Sequence, residues 1–148
     1  MINGLNHVTF AVRNLDESLA FYSRTLGLRT VFTRSKGAYL LAGDFWIALI
    51  EEPEAQPAAL SEYSHVAFSV APTNFEKLSN QIKLSGAKIW QDNKSEGASL
   101  YFLDPNGHKL EIHASDLSAR LQYYRVHATP DMHFFSDADI KPSPSKSL

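Results

Sequence analysis

The chain has 148 residues, a net charge of −2, a pI near 6.3 and no cysteine. Its length suits one ordinary domain or two small modules, and a weakly acidic balance argues against a nucleic-acid platform, so any anion must be caught by a local cluster. The missing cysteine excludes disulfides, thiolate ligands and a protein thiol nucleophile. No apolar run reaches the length of a membrane span, and Met1-Ile2-Asn3-Gly4 enters a strand with no basic, apolar leader, so a cytoplasmic protein is expected.

The first element is a strand, Leu5-Asn6-His7-Val8-Thr9-Phe10-Ala11-Val12, and it returns 58 residues later as Tyr63-Ser64-His65-Val66-Ala67-Phe68-Ser69-Val70. Alternation along a strand puts Val8, Phe10 and Val12 on one face and His7 and Thr9 on the other, with the same split in the second copy. After the first strand, Asn14 and Glu17 form a capping pair. Leu15, Leu19, Tyr22 and Leu26 then follow at helical spacing to a stop at Gly27. Strands are predicted over Leu28 to Thr33, Ala38 to Leu41 and Phe45 to Ile50. Glu51 to Glu62 is a linker rich in Pro, Glu and Ala.

The second copy repeats this order. Thr73 and Glu76 are its expected cap, Phe75, Leu78 and Ile82 its apolar stripe, and Gly86 its stop. Strands are predicted over Lys88 to Gln91, Ser99 to Leu103 and Lys109 to His113, with a turn at Asp104-Pro105-Asn106-Gly107. A helix capped by Asp116 and running through Leu117, Arg120, Leu121 and Tyr124 should follow. Residues 136–148 read as a frayed tail. The expected fold class is α+β: two βαβββ modules, 1–50 and 63–115, a linker at 51–62 and an extension at 116–135. Modules this small should pair with each other or across a dimer.

In the last strand, Leu110 and Ile112 share the apolar face and leave Glu111 and His113 on the other. His7, His65 and Glu111 are therefore candidate ligands for one divalent ion, with positions left open for a reactant. A lone strand histidine is ordinarily a hydrogen-bonded core residue, and it is the repeat that favours the metal reading. The first module has no acid matching Glu111. His113 is expected to support the ligands from behind, while His108, His127 and His133 are expected to face solvent.

Paired βαβββ modules with a His, His, Glu site resemble the vicinal oxygen chelate superfamily. Within it, Leu5-Asn6-His7-Val8-Thr9, Phe21-Tyr22, Gly37-Ala38-Tyr39-Leu40, Trp46, Tyr63-Ser64-His65 and the run from Ser95 to Glu111 resemble the FosA-type fosfomycin resistance proteins, over about Met1 to Phe135. The resemblance implies a Mn²⁺-dependent, K⁺-stimulated glutathione transferase that opens the epoxide of fosfomycin. It also implies a homodimer in which His7 of one subunit meets His65 and Glu111 of the other. It assigns Thr9, Ser95, Ser99, Tyr101 and Arg120 to the phosphonate, and Asn93, Ser95, Gly97 and Ser99 to a potassium loop. Tyr39 and Trp46 fall at the thiol, with Thr9 and Tyr39 as candidate catalytic groups. Hydroxyls and a forked cation suit a phosphonate, and a metal suits the oxygen released from an epoxide, although ligand type alone leaves Fe²⁺ and Zn²⁺ open. Many relatives carry lysine where this chain has Gln91, which removes one positive charge from the anion site.

The competing enzyme readings are a transferase using bacillithiol or cysteine, a four-ligand glyoxalase, and an extradiol dioxygenase, whose chains are longer. From another class comes a drug-sequestering protein of the bleomycin-resistance kind, which needs no metal.

Overall fold

A computed structural model describes residues 1–135, and the expected tail lies outside them. The first half contains β1 (His7–Val12), α1 (Leu15–Ala20) continuing into a π-helical turn (Phe21–Thr25), β2 (Arg29–Arg34), β3 (Gly37–Ala42) and β4 (Phe45–Glu51). The second contains β5 (Val66–Ser69), α2 (Pro72–Leu84), β6 (Ile89–Gln91), β7 (Ser99–Leu103) and β8 (Lys109–His113), and α3 (Leu117–Val126) follows. Each half forms a four-stranded mixed sheet, ordered β1-β4-β3-β2 and β5-β8-β7-β6, in which the first strand lies parallel to the last. The βαβββ order is thus present twice, and no described helix is long and apolar enough to cross a membrane.

Period-two alternation decides what faces the core. Phe10 and Val12 of β1 are buried with Ala38, Leu40, Ile47 and Leu49 of the same sheet. They join Phe102, Leu110 and Ile112 of the second sheet, Tyr22 of the π turn and Ile82 of α2 in one cluster, so the halves share a core. The opposite face of β1, with His7 and Thr9, is exposed in the single chain.

Polar groups bind the halves together where the core meets the surface. Asp104, at the turn between β7 and β8, accepts hydrogen bonds from Tyr22 Oη at 2.8 Å, from the backbone amides of Asn106 and His108, and from His108 Nδ1 at 2.7 Å. Burial, and secondarily the Asp104 charge, holds the Tyr22 hydroxyl well above the ordinary tyrosine range, so it is a permanent donor. His108 is therefore not the solvent-facing side chain expected from sequence. It packs against Phe10 with its ring centroid 4.9 Å away and closes the seam between the halves. His127 and His133, along and after α3, are both exposed, as expected.

Local starts and stops largely follow their sequence signals. Asn14 and Asp116 cap α1 and α3 by accepting from the amides of Glu17 and Ala119. The exception is α2. Ala71 is its N-cap and Pro72 its first residue, because proline's fixed φ and missing N–H suit the first helical position, so Thr73 lies inside the helix. Strand β4 runs through Glu51, whose carboxylate accepts from the Leu15 amide and ties the sheet to the start of α1.

Candidate metal and anion site

The chemistry concentrates on the outer face of the second sheet. Register places Glu111 of β8 opposite Ala67 of β5 and Tyr101 of β7, and His113 opposite Ser69 and Ser99. His65 stands one residue before β5, walled by Trp90, Tyr101 and Tyr63 with centroids 5.0–5.9 Å away. Glu111 is only 5% exposed, an unusual position for a carboxylate unless both oxygens have partners. Both do. Oε2 lies 2.9 Å from His65 Nε2, and Oε1 accepts from Ser99 Oγ at 2.6 Å.

The His65–Glu111 pair has a definite electronic sense. His65 Nδ1 is 2.9 Å from the Tyr63 carbonyl, which can only accept, so the proton is on Nδ1 and Nε2 presents its lone pair. That lone pair and the carboxylate Oε2 point at one another, so a cation, proton or metal ion, has to lie between them. Two ligands sharing an ion at a right angle, with bonds of about 2.1 Å, stand about 3.0 Å apart, so the observed 2.9 Å fits a common divalent ion without rearrangement. Nitrogen with carboxylate oxygen is a donor set for Mn²⁺, Fe²⁺ or Zn²⁺.

The third expected ligand is elsewhere. His7 lies on the first sheet, its Nδ1 2.7 Å from Asn6 Oδ1, so that, as in His65, Nδ1 is held by a local oxygen and Nε2 points away from it. Among the described residues, no three His, Asp or Glu side chains of one chain converge to hold a metal. Within one chain, His7 therefore stands apart from His65 and Glu111. The two sheets turn their apolar faces to the common core, which sends the histidine faces outward and apart. Beside His7 runs an aromatic row: Trp46 with its centroid 4.3 Å away, then Tyr39 and Phe32 at successive spacings of 4.9 and 5.0 Å. Trp46 Nε1 is buried with no acceptor in the single chain, and Thr9 is exposed on the same outer face as His7.

The expected anion ligands gather beside Glu111. Arg120 of α3 reaches back so that Nη2 lies 3.4 Å from Ser95 Oγ and 3.2 Å from the Glu96 carbonyl, and Nε lies 3.3 Å from the Glu96 carboxylate. Ser95 Oγ is 3.5 Å from Tyr101 Oη. Burial raises the Tyr101 hydroxyl above its ordinary pKa; the Ser95 hydrogen bond opposes this and the Glu111 charge adds to it, and the net effect keeps the phenol protonated as a donor. Hydroxyls and a guanidinium within one patch are donors of the kind a compact anion requires. The loop carrying Ser95 is braced by Asn93, whose side chain donates to the Gly97 carbonyl at 2.8 Å and accepts from the Ser95 amide at 3.0 Å. Gly97 has φ +82°, and a Cβ there would stand 2.7 Å from Ser115 Cβ, so no other residue fits.

Two participants escape sequence reasoning. Glu96 neutralises part of Arg120 and also accepts from Ser115 Oγ at 3.0 Å. Trp90 donates to the Leu110 carbonyl, carries Lys109 over its ring and walls His65. Glu96 lies within the Ser95 to Glu111 run but the resemblance gives it no role, and only the pairing of β6 with β7 brings Trp90 to the site.

The sequence pattern of the Glyoxalase/Bleomycin resistance protein/Dioxygenase superfamily matches residues 4–112. The chain is 46% identical over 139 residues to the glutathione transferase FosA of Serratia marcescens, covering 93% of this chain and 99% of that one. It is 36% identical to the metallothiol transferase FosB of Shouchella clausii, covering 89% and 93%. Among solved structures, the fosfomycin resistance protein FosX of Listeria monocytogenes superposes with a TM-score of 0.73 at 29% identity, covering 84% of this chain and all of that one. A point mutant of that FosX, complexed with Mn(II) and 1S,2S-dihydroxypropylphosphonic acid, gives 0.71 at 30%, covering 84% and 99%. With the repeated βαβββ fold and a histidine–carboxylate pair in place, the chain belongs to the Glyoxalase/Bleomycin resistance protein/Dioxygenase superfamily.

Proposed function

We propose that this protein is a metal-dependent thiol transferase that opens the epoxide of fosfomycin with glutathione and so confers fosfomycin resistance. The observation that carries the reading is the juxtaposition of the His65–Glu111 pair with the Arg120, Ser95, Tyr101 and Ser99 cluster. An epoxide joined to a phosphonate needs both halves of that arrangement. The 46% identity to a FosA glutathione transferase supports the same substrate and thiol.

In this reading His65 and Glu111 hold Mn²⁺ together with His7 of a second copy. Support comes from His7 Nε2, which is left without a partner in the single chain, from His65 Nε2 beside the Glu111 carboxylate, and from β1 and β5, which both end their sheets with unpaired edges. A bound divalent ion supplies Lewis-acid polarisation of the epoxide oxygen. Arg120, Ser95 and Tyr101 hold the phosphonate, joined by Thr9 from the facing sheet, and fix the epoxide for attack along one line, while Ser99 beside them gives its proton to Glu111. Trp46 and Tyr39 flank the incoming thiol, and a hydrogen bond from the Tyr39 hydroxyl favours the thiolate. Sulfur bonds to an epoxide carbon as that carbon's bond to oxygen breaks, and the oxygen takes up a proton, leaving a hydroxy thioether. The Asn93 and Ser99 side chains, Ser95 Oγ and the Gly97 carbonyl form an oxygen-rich loop suited to K⁺, which would steady the Ser95 and Ser99 hydroxyls.

The test is to incubate the protein with Mn²⁺, K⁺, fosfomycin and glutathione and identify the product by mass spectrometry, with bacillithiol and cysteine in parallel. The glutathione adduct is expected in excess. Preferential bacillithiol or cysteine adducts would reassign the thiol. A diol would replace thiol attack by water attack, for which no described carboxylate stands free beside Glu111, since Glu96 is paired with Arg120. Binding without turnover would make the protein a drug-sequestering relative.

A further inference from the structure

His113 lies between the metal pair and the anion cluster and touches both. Its Nδ1 is 2.7 Å from Ser99 Oγ and its Nε2 is 3.4 Å from Arg120 Nη2. The chain of hydrogen bonds admits one consistent direction. The guanidinium can only donate, so His113 Nε2 accepts and the ring proton sits on Nδ1. Nδ1–H then donates to Ser99 Oγ, and the single Ser99 proton goes to Glu111 Oε1 at 2.6 Å. The 3.5 Å approach of His113 Nδ1 to the same Oε1 agrees with a proton on that nitrogen.

We propose that His113 is a positioning residue for the metal centre. By donating to Ser99 Oγ, it keeps the serine proton from turning toward the ring and directs it to Oε1, and this leaves Oε2 of Glu111 as the oxygen facing His65 Nε2. Were Ser99 free to rotate, Oε1 would lose its donor, and the carboxylate would have no fixed choice of which oxygen to present. The same ring is the only described side chain that bonds both to the anion-binding arginine and to the serine on the metal carboxylate. The matching positions of the first sheet show what the device adds. Register equates Ser99 and His113 with Gly37 and Ile50, and in that sheet Ala48 stands where Glu111 would be, so no carboxylate there needs orienting.

This inference rests on the metal reading above, and its test uses neither fosfomycin nor thiol. Mn²⁺ is titrated into the metal-free protein and the free ion is followed by its electron paramagnetic resonance signal, with folding checked by circular dichroism. His113→Phe is expected to weaken Mn²⁺ binding about tenfold or more, the usual cost of removing such a support. His113→Asn puts an amide N–H where Nδ1 stands and is expected to stay within about threefold of the native protein, whereas His113→Gln, whose amide falls where Nε2 stands, is expected to behave like His113→Phe. Adding His113→Phe to Ser99→Ala should cost nothing beyond Ser99→Ala alone, because the ring acts through the serine.

Native affinity in His113→Phe, equal behaviour of the Asn and Gln variants, or additive losses in the double variant would each overturn the proposal. If His113→Phe fails to fold, the comparison of Asn with Gln still decides it. Failure of the native protein itself to bind Mn²⁺ would overturn the metal reading and this proposal with it.

Discussion

The two halves of the molecule share a topology and have divided the chemistry between them, and the register of each sheet allows a position-by-position comparison. His7 and His65 are equivalent, as are Tyr39 and Tyr101. The position of Glu111, opposite the third residue of its first-strand repeat and opposite Tyr101, is held in the first sheet by Ala48, opposite Thr9 and Tyr39. Phe32 matches Gln91, each paired to the equivalent tyrosine. The first sheet thus keeps one imidazole and lines it with Trp46, Tyr39 and Phe32, while the second sheet replaces Ala48, Gly37 and Ile50 with the carboxylate, serine and histidine of a polar network. The repeat supplies a symmetric frame, and the proposed function breaks that symmetry: one face would take the thiol, the other a cation and an anion.

The largest test of that division is Glu111→Gln. Losing the charge on the only acid of the equivalent pair should abolish stoichiometric metal and lower turnover by about 10³-fold, the scale of several kcal/mol of electrostatic stabilisation. Metal content by plasma mass spectrometry beside the rate of adduct formation checks it. Native metal content in the variant would mean that the acid found in only one half is not what distinguishes the halves chemically.

A second effect concerns the seam rather than the site. Tyr22→Phe removes a donor from fully buried Asp104 and should cost about 1–3 kcal/mol in urea unfolding at neutral pH. The sign of its pH dependence follows from the direction of the shift. The folded-state hydroxyl titrates above its unfolded value of about 10, so its contribution is complete below that pH and is lost as the pH rises further and the unfolded chain ionises. The native protein should therefore lose stability in strong alkali more steeply than Tyr22→Phe. Equal slopes would remove Tyr22 from the link between the halves.

The smallest effect sharpens the contrast at the Phe32 and Gln91 pair. Gln91 reaches only Tyr63 Oη, at 3.4 Å, and Gln91→Lys restores a cation at the rim of the anion cluster. A half-exposed charge is worth up to about 1 kcal/mol, so the KM for fosfomycin should fall about fivefold or less with turnover unchanged. An unchanged or higher KM would mean that the anion site does not extend to this strand.

Much of this was legible in the sequence because duplication doubles every signal. The facing of His7 and His65, the missing acid beside His7 and the stops at Gly27 and Gly86, both at positive φ, follow from period-two alternation and turn chemistry alone. What the sequence hid depends on contacts between distant segments. The Asp104 to His108 turn reads as a surface hairpin, yet His108 is drawn inward because Asp104 is buried against Tyr22 of the other half. Gly107 reads as a turn residue, yet a side chain there would also collide with the backbone of Ala58 and Ala59, so the linker is packed on the hairpin. Thr73 looks like a cap because the repeat suggests it, but the neighbouring Pro72 settles the helix start locally. The partner of Glu96 is hidden for the same reason, since only α3 brings Arg120 to it.

The central claim is that the metal centre is assembled from the unlike halves of two chains. It is tested most directly by mixing two inactive variants, His7→Ala and Glu111→Gln, after separate purification, and allowing the subunits to exchange. If each site takes His7 from one chain and Glu111 from the other, the mixed dimer has one site with both ligands intact, and random pairing should restore about a quarter of native activity and metal. No recovery after verified exchange would place all three ligands in one chain or none in a common site, and would contradict the account.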